Sequence, residues 1–298
     1  MQLKMRKIYI GLFILTSCMF LSMGVLEKKI DYSKARNKNV CKVLKEDVLI
    51  YVVFVSNKVN RPFTELDILS TMDSINVAVQ WINNRASENK INLKISTAFH
   101  IGDNFATVKK ELPAGSVLES ATQPNLSTGI KNLNEWADYI AKRVGATFLI
   151  EETPGIQTPK NPRDKESLIA FLRDKYKVES VALFYVVNNY FVDDLSISMN
   201  TMSNSDVEFS LISYKWPSVF AHNFLHLFGA ADMHETPFRQ DKSNIELAKK
   251  LYPDDIMQSP EGENIREMKL GEMTKYLIGW SETADSKFAP LLTDKKER

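Results

Sequence analysis

Cysteine is nearly missing from this chain: 298 residues hold two, Cys18 and Cys41. Cys18 lies in an N-terminal apolar segment, which leaves Cys41 alone in the remainder. No internal disulfide is expected, and a Cys2His2 structural zinc site is excluded. Glycine is scarce as well, at 11 residues. There is no phosphate-cradling Gly-rich loop, no dinucleotide fingerprint and no Gly-x-Ser-x-Gly nucleophile elbow. Charge of one sign is not in excess, since 38 Lys and Arg face 37 Asp and Glu for a net +1. Nothing therefore argues for a nucleic-acid partner. No internal repeat is visible. Hydrophobic content of 44% and charged content of 25% are those of an ordinary globular protein.

The one long apolar run stands at the N-terminus. Lys4, Arg6 and Lys7 precede Ile8 to Val25, and Glu27, Lys28 and Lys29 end it. This pattern is an export signal or membrane anchor, outside the fold. Three fates are open. Leu15-Thr16-Ser17-Cys18 resembles a bacterial lipobox, which would lipidate Cys18. Ser22-Met23-Gly24 offers small residues for ordinary cleavage. An uncleaved anchor is the third, the run being near the lower limit for a span. Each places the rest of the chain outside the cytoplasm, secreted or at the cell surface. Residues 1–25 thus form the signal or anchor and 26–45 a Lys- and Asn-rich tether that includes Cys41. Residues 46–285 form one domain, and 286–298 a polar tail.

Within the domain, Val48 to Val55 is a buried strand and Thr64 caps an amphipathic helix through Ile68, Met72, Ile75, Val79 and Ile82. Residues 91–101 form a second strand. Helices are expected over 131–144 and 163–176, and strands over 147–150, 181–187 and 207–213. A helix over about 217–228 starts with Pro217 in its first turn. Helices near 243–251 and 265–279 follow, and loops over roughly 102–130 and 153–163. Alternation early and helices late give an α+β domain on a mixed sheet.

Three of the four histidines fall in one short run, Ala221-His222-Asn223-Phe224-Leu225-His226-Leu227-Phe228-Gly229-Ala230-Ala231-Asp232-Met233-His234. His222 and His226 are four apart, so a helix puts both imidazoles on one face. Gly229 lets the chain leave the helix through a left-handed conformation. It can then bring back a third ligand, Asp232 or, two residues further on, His234. Two imidazoles and a carboxylate are a donor set for Zn²⁺. His100 stands at a strand end with no assigned role.

The pattern His-x-x-x-His-x-x-Gly-x-x-Asp resembles the metzincin zinc metallopeptidases, in the bacterial branch where Asp replaces the third His. The resemblance implies a mixed twisted sheet, an active-site helix and a tight turn carrying a Met beneath the metal. Met257, in Tyr252-Pro253-Asp254-Asp255-Ile256-Met257, is placed to be that residue. It also implies bound Zn²⁺ and a peptide or protein in a cleft. One position departs. Where the family has its general-base Glu, this chain has Asn223, and Asn cannot accept and release a proton near neutral pH. Spacing assigns the role to none of Glu208, Glu235, Asp254 or Asp255. The expectation is an extracytoplasmic zinc-binding pseudopeptidase. The alternatives are a working zinc metallopeptidase acting on extracellular proteins, and a metal-free surface binding domain whose histidines are ordinary helix residues.

Overall fold

The computed structural model describes residues 29–33, 41, 43–58, 62–113, 126–148, 162–188, 195–199, 208–213, 215–236 and 239–295. The segment 8–25, with Cys18, lies outside them, as do residues 114–125 of the loop expected over 102–130 and 153–161 of that expected over 153–163. The strands are Lys29–Asp31 (β1), Glu46–Ser56 (β2), Leu93–His100 (β3), Val108–Lys109 (β4), Ser180–Val187 (β5), Ser196–Met199 (β6), Phe209–Ile212 (β7) and Thr293–Lys295 (β8). The helices are Glu65–Glu88 (α1), Leu126–Thr147 (α2), Lys165–Tyr176 (α3), Pro217–Leu227 (α4), Lys242–Leu251 (α5) and Glu272–Leu277 (α6).

A six-stranded mixed sheet runs β3-β2-β5-β7-β6, with β4 paired to the end of β2. β6 is antiparallel to β7 at one edge, and the other pairings are parallel. Strand periodicity sorts the side chains into two cores. Val48, Ile50, Val52 and Phe54 of β2 face α1 and α4, together with Phe184 and Val186 of β5. Leu49, Tyr51, Val53 and Val55 face α2 and α3, with Leu183 and Tyr185. β2 and β5 are therefore apolar on both faces, as strands covered by helices on both sides must be. Each such fully buried aliphatic or aromatic side chain contributes about 1.5–3 kcal/mol. The fold is α+β with a mixed sheet, as the sequence predicts.

α1 begins at a capping box in which the Thr64 side chain accepts from Asp67 N–H and Asp67 accepts from Thr64 N–H. Lys215, just before α4, reaches back to Asp67 at 2.8 Å and ties the two helix starts together.

Several local expectations are corrected. The helix expected over 131–144 starts at Leu126, so part of the expected loop is helical. Thr147 ends that helix instead of opening a strand, and 149–150 lie outside the described residues. The helix expected over 265–279 shrinks to α6. Lys269 O accepts from Ile256 N–H, Lys269 N–H donates to Asp254 O, and Gly271 N–H donates to the Asp255 carboxylate. These long-range bonds draw 269–271 out of helical geometry.

The stretch read as a tether also departs from expectation. β1 pairs with β8, and Tyr32, Cys41 and Leu44 are buried. Cys41 Sγ lies 3.4 Å from Val181 O, and burial, with Glu208 nearby, pushes the thiol well above its ordinary value. It is a core residue. The expected polar tail likewise buries Phe288, Leu291 and Asp294. Short charged sequences hide such packing because one residue in three or four does the burying.

Candidate metal centre

α4 is buried from Ser218 to Leu227, although its N-cap, Trp216, is 51% exposed. Pro217 at the first helical turn forfeits no hydrogen bond. A helix buried on every side belongs inside a core, and this one, apolar but for Ser218, His222, Asn223 and His226, lies between the sheet and the turn around Met257. His222 and His226 stand one turn apart, with ring centroids at 4.5 Å and planes at 88°.

After Phe228, Gly229 takes φ +97°, a value that L side chains rarely adopt. Gly229 N–H donates to His226 O and Ala230 N–H to Leu225 O, closing the helix end. The chain then turns back, and Met233 N–H donates to Met257 O at 2.8 Å. That bond fixes Asp232 opposite the two histidines. Asp232 Oδ1 lies 3.2 Å from His222 Nε2 and 3.1 Å from His226 Nε2, and the two Nε2 atoms are 2.9 Å apart.

The far nitrogens define the tautomers. His222 Nδ1 is 2.9 Å from Ile256 O, and His226 Nδ1 is 2.8 Å from Ala230 O. A carbonyl oxygen only accepts, so each Nδ1 carries the proton. In neutral rings both Nε2 lone pairs then face the Asp232 carboxylate. Three electron-rich atoms so close need a positive charge among them. It is either a proton or a cation. Ligands held at about 2.0–2.1 Å in a tetrahedron stand roughly 3.3 Å apart, within a few tenths of these edges. His222, His226 and Asp232 can therefore hold a metal ion, and they are the group of His, Cys, Asp and Glu donors that comes together among the described residues.

Burial and the neighbouring His226 push His222 below its usual pKa. Burial also opposes charge on His226, but Asp232 outweighs it and raises that group. Burial would raise Asp232, yet His226 and the contacts with both rings hold it well below the carboxylate range. One proton on His226 is thus the metal-free way of balancing the triangle.

Asn223 points elsewhere. Its Nδ2 donates to Ser196 Oγ at 2.8 Å and Val219 O at 2.9 Å, and its Oδ1 accepts from Ser198 Oγ at 2.8 Å. Ser198 Oγ is in turn 2.7 Å from Ser210 Oγ. The amide is 1% exposed and ties α4 to the edge strand β6. These serines are not apparent as site residues from spacing alone; the period-two hydroxyls of Ser196-Ile197-Ser198 were the available signal.

Met257 is fully buried, and its carbonyl faces His234 Nδ1 at 3.4 Å. His234 Nδ1 is 3.9 Å from Asp232 Oδ1, outside the close triangle. The carboxylates weighed for the Glu role are dispersed. Glu208 is buried near Cys41, Glu235 is exposed, and Asp254 pairs with Lys269. Asp255 is the keystone of the turn: it accepts from the N–H groups of Met257 and Gly271 and from Thr274 Oγ1. Burial lifts its pKa to about 6 despite these donors. His100 closes β3 and lies 3.5 Å from the Tyr51 hydroxyl. No family model matches this chain, and no curated protein matches it.

Proposed function

We propose that this chain is an extracytoplasmic, metzincin-like zinc-binding protein of metallopeptidase descent that holds a peptide or protein without turning it over. The observation that carries this reading is the pair of carbonyl-locked histidines. Ile256 O and Ala230 O direct two lone pairs toward Asp232 in a buried, preformed donor set. Carbonyls behind ligating histidines fix tautomer and ring orientation in metal sites generally. The positive φ of Gly229, the Met233–Met257 bond and the approach of Asp232 to both histidines support this reading. The placement outside the cytoplasm rests on residues 1–25 alone, as does membrane attachment through that segment or a lipid on Cys18.

Zinc at such a site supplies Lewis acidity. Peptide hydrolysis also needs a group that takes a proton and returns it to the leaving amine. Asn223 has no such proton, and its amide is committed to Ser196, Ser198 and Val219. This is why the binding reading is preferred to the working peptidase.

Metal analysis and a peptidase assay test the reading together. The purified full chain is expected to carry about one zinc per molecule, and the double variant His222→Ala, His226→Ala none. Zinc-loaded protein is expected to leave casein and mixed peptide substrates intact. Metal-free protein, indifferent to the double substitution, overturns the zinc site and favours the metal-free binding domain. Robust chelator-sensitive cleavage overturns the pseudopeptidase reading and favours the working enzyme.

A further inference from the structure

The loop that returns Asp232 to the histidines is held from behind by two segments distant in sequence. β1 pairs antiparallel with β8, Lys29 opposite Lys295 and Asp31 opposite Thr293. Between this pair and the loop lies Arg239, 1% exposed. Its guanidinium stacks 4.4 Å from the centre of the Tyr32 ring. Nη2 donates to Leu291 O at 3.0 Å, and Nη1 lies 3.4 Å from Asp294 Oδ2. The other Asp294 oxygen accepts from the N–H groups of Gln240 and Asp241. Arg239 also exchanges backbone bonds with Thr236, which closes the loop on itself.

Among the described residues between Gly229 and Asp241, the Met233–Met257 bond holds the near end, and the arginine caught between Tyr32 and Asp294 holds the far end. Asp232 sits close to the near end, and its charge is one of the influences felt at the Tyr32 hydroxyl. A buried arginine is costly unless paired, and the partners that satisfy this one come from the segments on either side of it.

We infer that segments 29–33 and 291–295 form a clasp on the ligand loop, and that Arg239, through Tyr32 and Asp294, is a positioning residue of the metal centre. The inference rests on the zinc reading for its metal arm only. Because the clasp includes the residues that follow the anchor or signal segment, metal retention is linked to how residues 29–33 are docked. Undocking that strand frees the loop and loosens the third ligand.

The test uses the full chain. Replacing the pair together, Arg239→Met with Asp294→Asn, leaves no lone buried charge and keeps an acceptor for Gln240 and Asp241. Tyr32→Leu removes the stacking partner separately. A control pair, Lys165→Met with Asp138→Asn, removes an ion pair with a buried lysine and a partly exposed aspartate among the helices on the opposite face of the sheet. Two quantities are read: zinc affinity by chelator competition, and hydrogen exchange at the Met233 amide in zinc-free protein. Both clasp variants are expected to weaken zinc about 10–100-fold, the range for residues that orient ligands from behind. The Met233 amide is expected to exchange at least about tenfold faster, a change the control pair does not produce. Exchange at the wild-type rate overturns the clasp, as does an equal acceleration in the control. Wild-type protein that takes up no zinc removes the zinc reading, and the exchange arm still decides the clasp.

Discussion

Replacing Asn223 by Glu introduces the residue type that the resemblance leads one to expect, and the structure says how the chain will respond. The side chain at 223 lies 1% exposed against β6. Ser196 and Ser198 can turn both hydroxyls toward a carboxylate, so two acceptor sites are met at about the present 2.8 Å. The third contact reverses sign. Val219 O, now 2.9 Å from a donor, would face a negative oxygen. Ser196, which now accepts from the amide, must also turn its hydroxyl to donate. A buried charged group so placed costs about 1–3 kcal/mol. At roughly 2–4 °C per kcal/mol for a domain of this size, the melting temperature should fall by about 2–12 °C. Activity should barely change, because the same serines that satisfy the carboxylate hold it against β6. Adding Ser196→Ala and Ser198→Ala releases it, and only that triple variant is expected to gain chelator-sensitive cleavage. Calorimetry and a fluorogenic peptide assay at neutral pH read both quantities. An unchanged melting temperature, or a gain of about 10²–10⁴ from Asn223→Glu alone, the full worth of general acid–base catalysis, would show that Asn223 is not the tie described.

Two further predictions concern the supports of the site. Asp255 titrates at about 6 in the folded protein, above an unfolded value near 3.8, so the folded state binds its proton more tightly. Its contribution is favourable below about pH 4 and is lost as pH rises through about 6, roughly 3 kcal/mol in all. The stability of wild type relative to Asp255→Asn, read from urea midpoints, should therefore fall by about 3 kcal/mol between pH 4 and pH 7, and parallel curves would count against the raised value. Gly229→Ala forces a Cβ onto φ +97°, at a cost of about 1–2 kcal/mol, and tilts the chain leading to Asp232. Its melting temperature should drop further in zinc than in chelator; an equal drop in both would mean that the turn does not aim the third ligand.

The long periodic elements were legible because one physical signal dominated each. Val48–Val55 and Val181–Val187 are apolar on both faces and became the sheet's interior, and Thr64 with Asp67 formed the expected capping box. The histidine helix ended at Gly229 for the reason the sequence suggests. The elements missed are those whose partners are remote. β6 is four residues long and exists by pairing with β7 and by its serines meeting Asn223. β1 and β8 exist only against each other, at opposite ends of the chain. The helix expected over 265–279 lost its first half to the Met257 turn, since a buried carboxylate and two backbone bonds outweigh local propensity. In the site itself, spacing pointed to Asp232 and His234 alike; the Met233–Met257 bond separates them.

Trp216 has a practical consequence. Trp81 and Trp136 are 6% and 3% exposed and Trp280 is partly buried, whereas Trp216, the N-cap of the histidine helix, is 51% exposed. Its indole is accordingly the one that dissolved iodide or acrylamide collides with most often. The most red-shifted and quenchable part of the protein's emission is a local optical probe of that helix start, present without any label. A peptide or protein seated there would shield the indole and lower the Stern–Volmer slope, so occupancy can be followed by light whether or not a bond is ever cut.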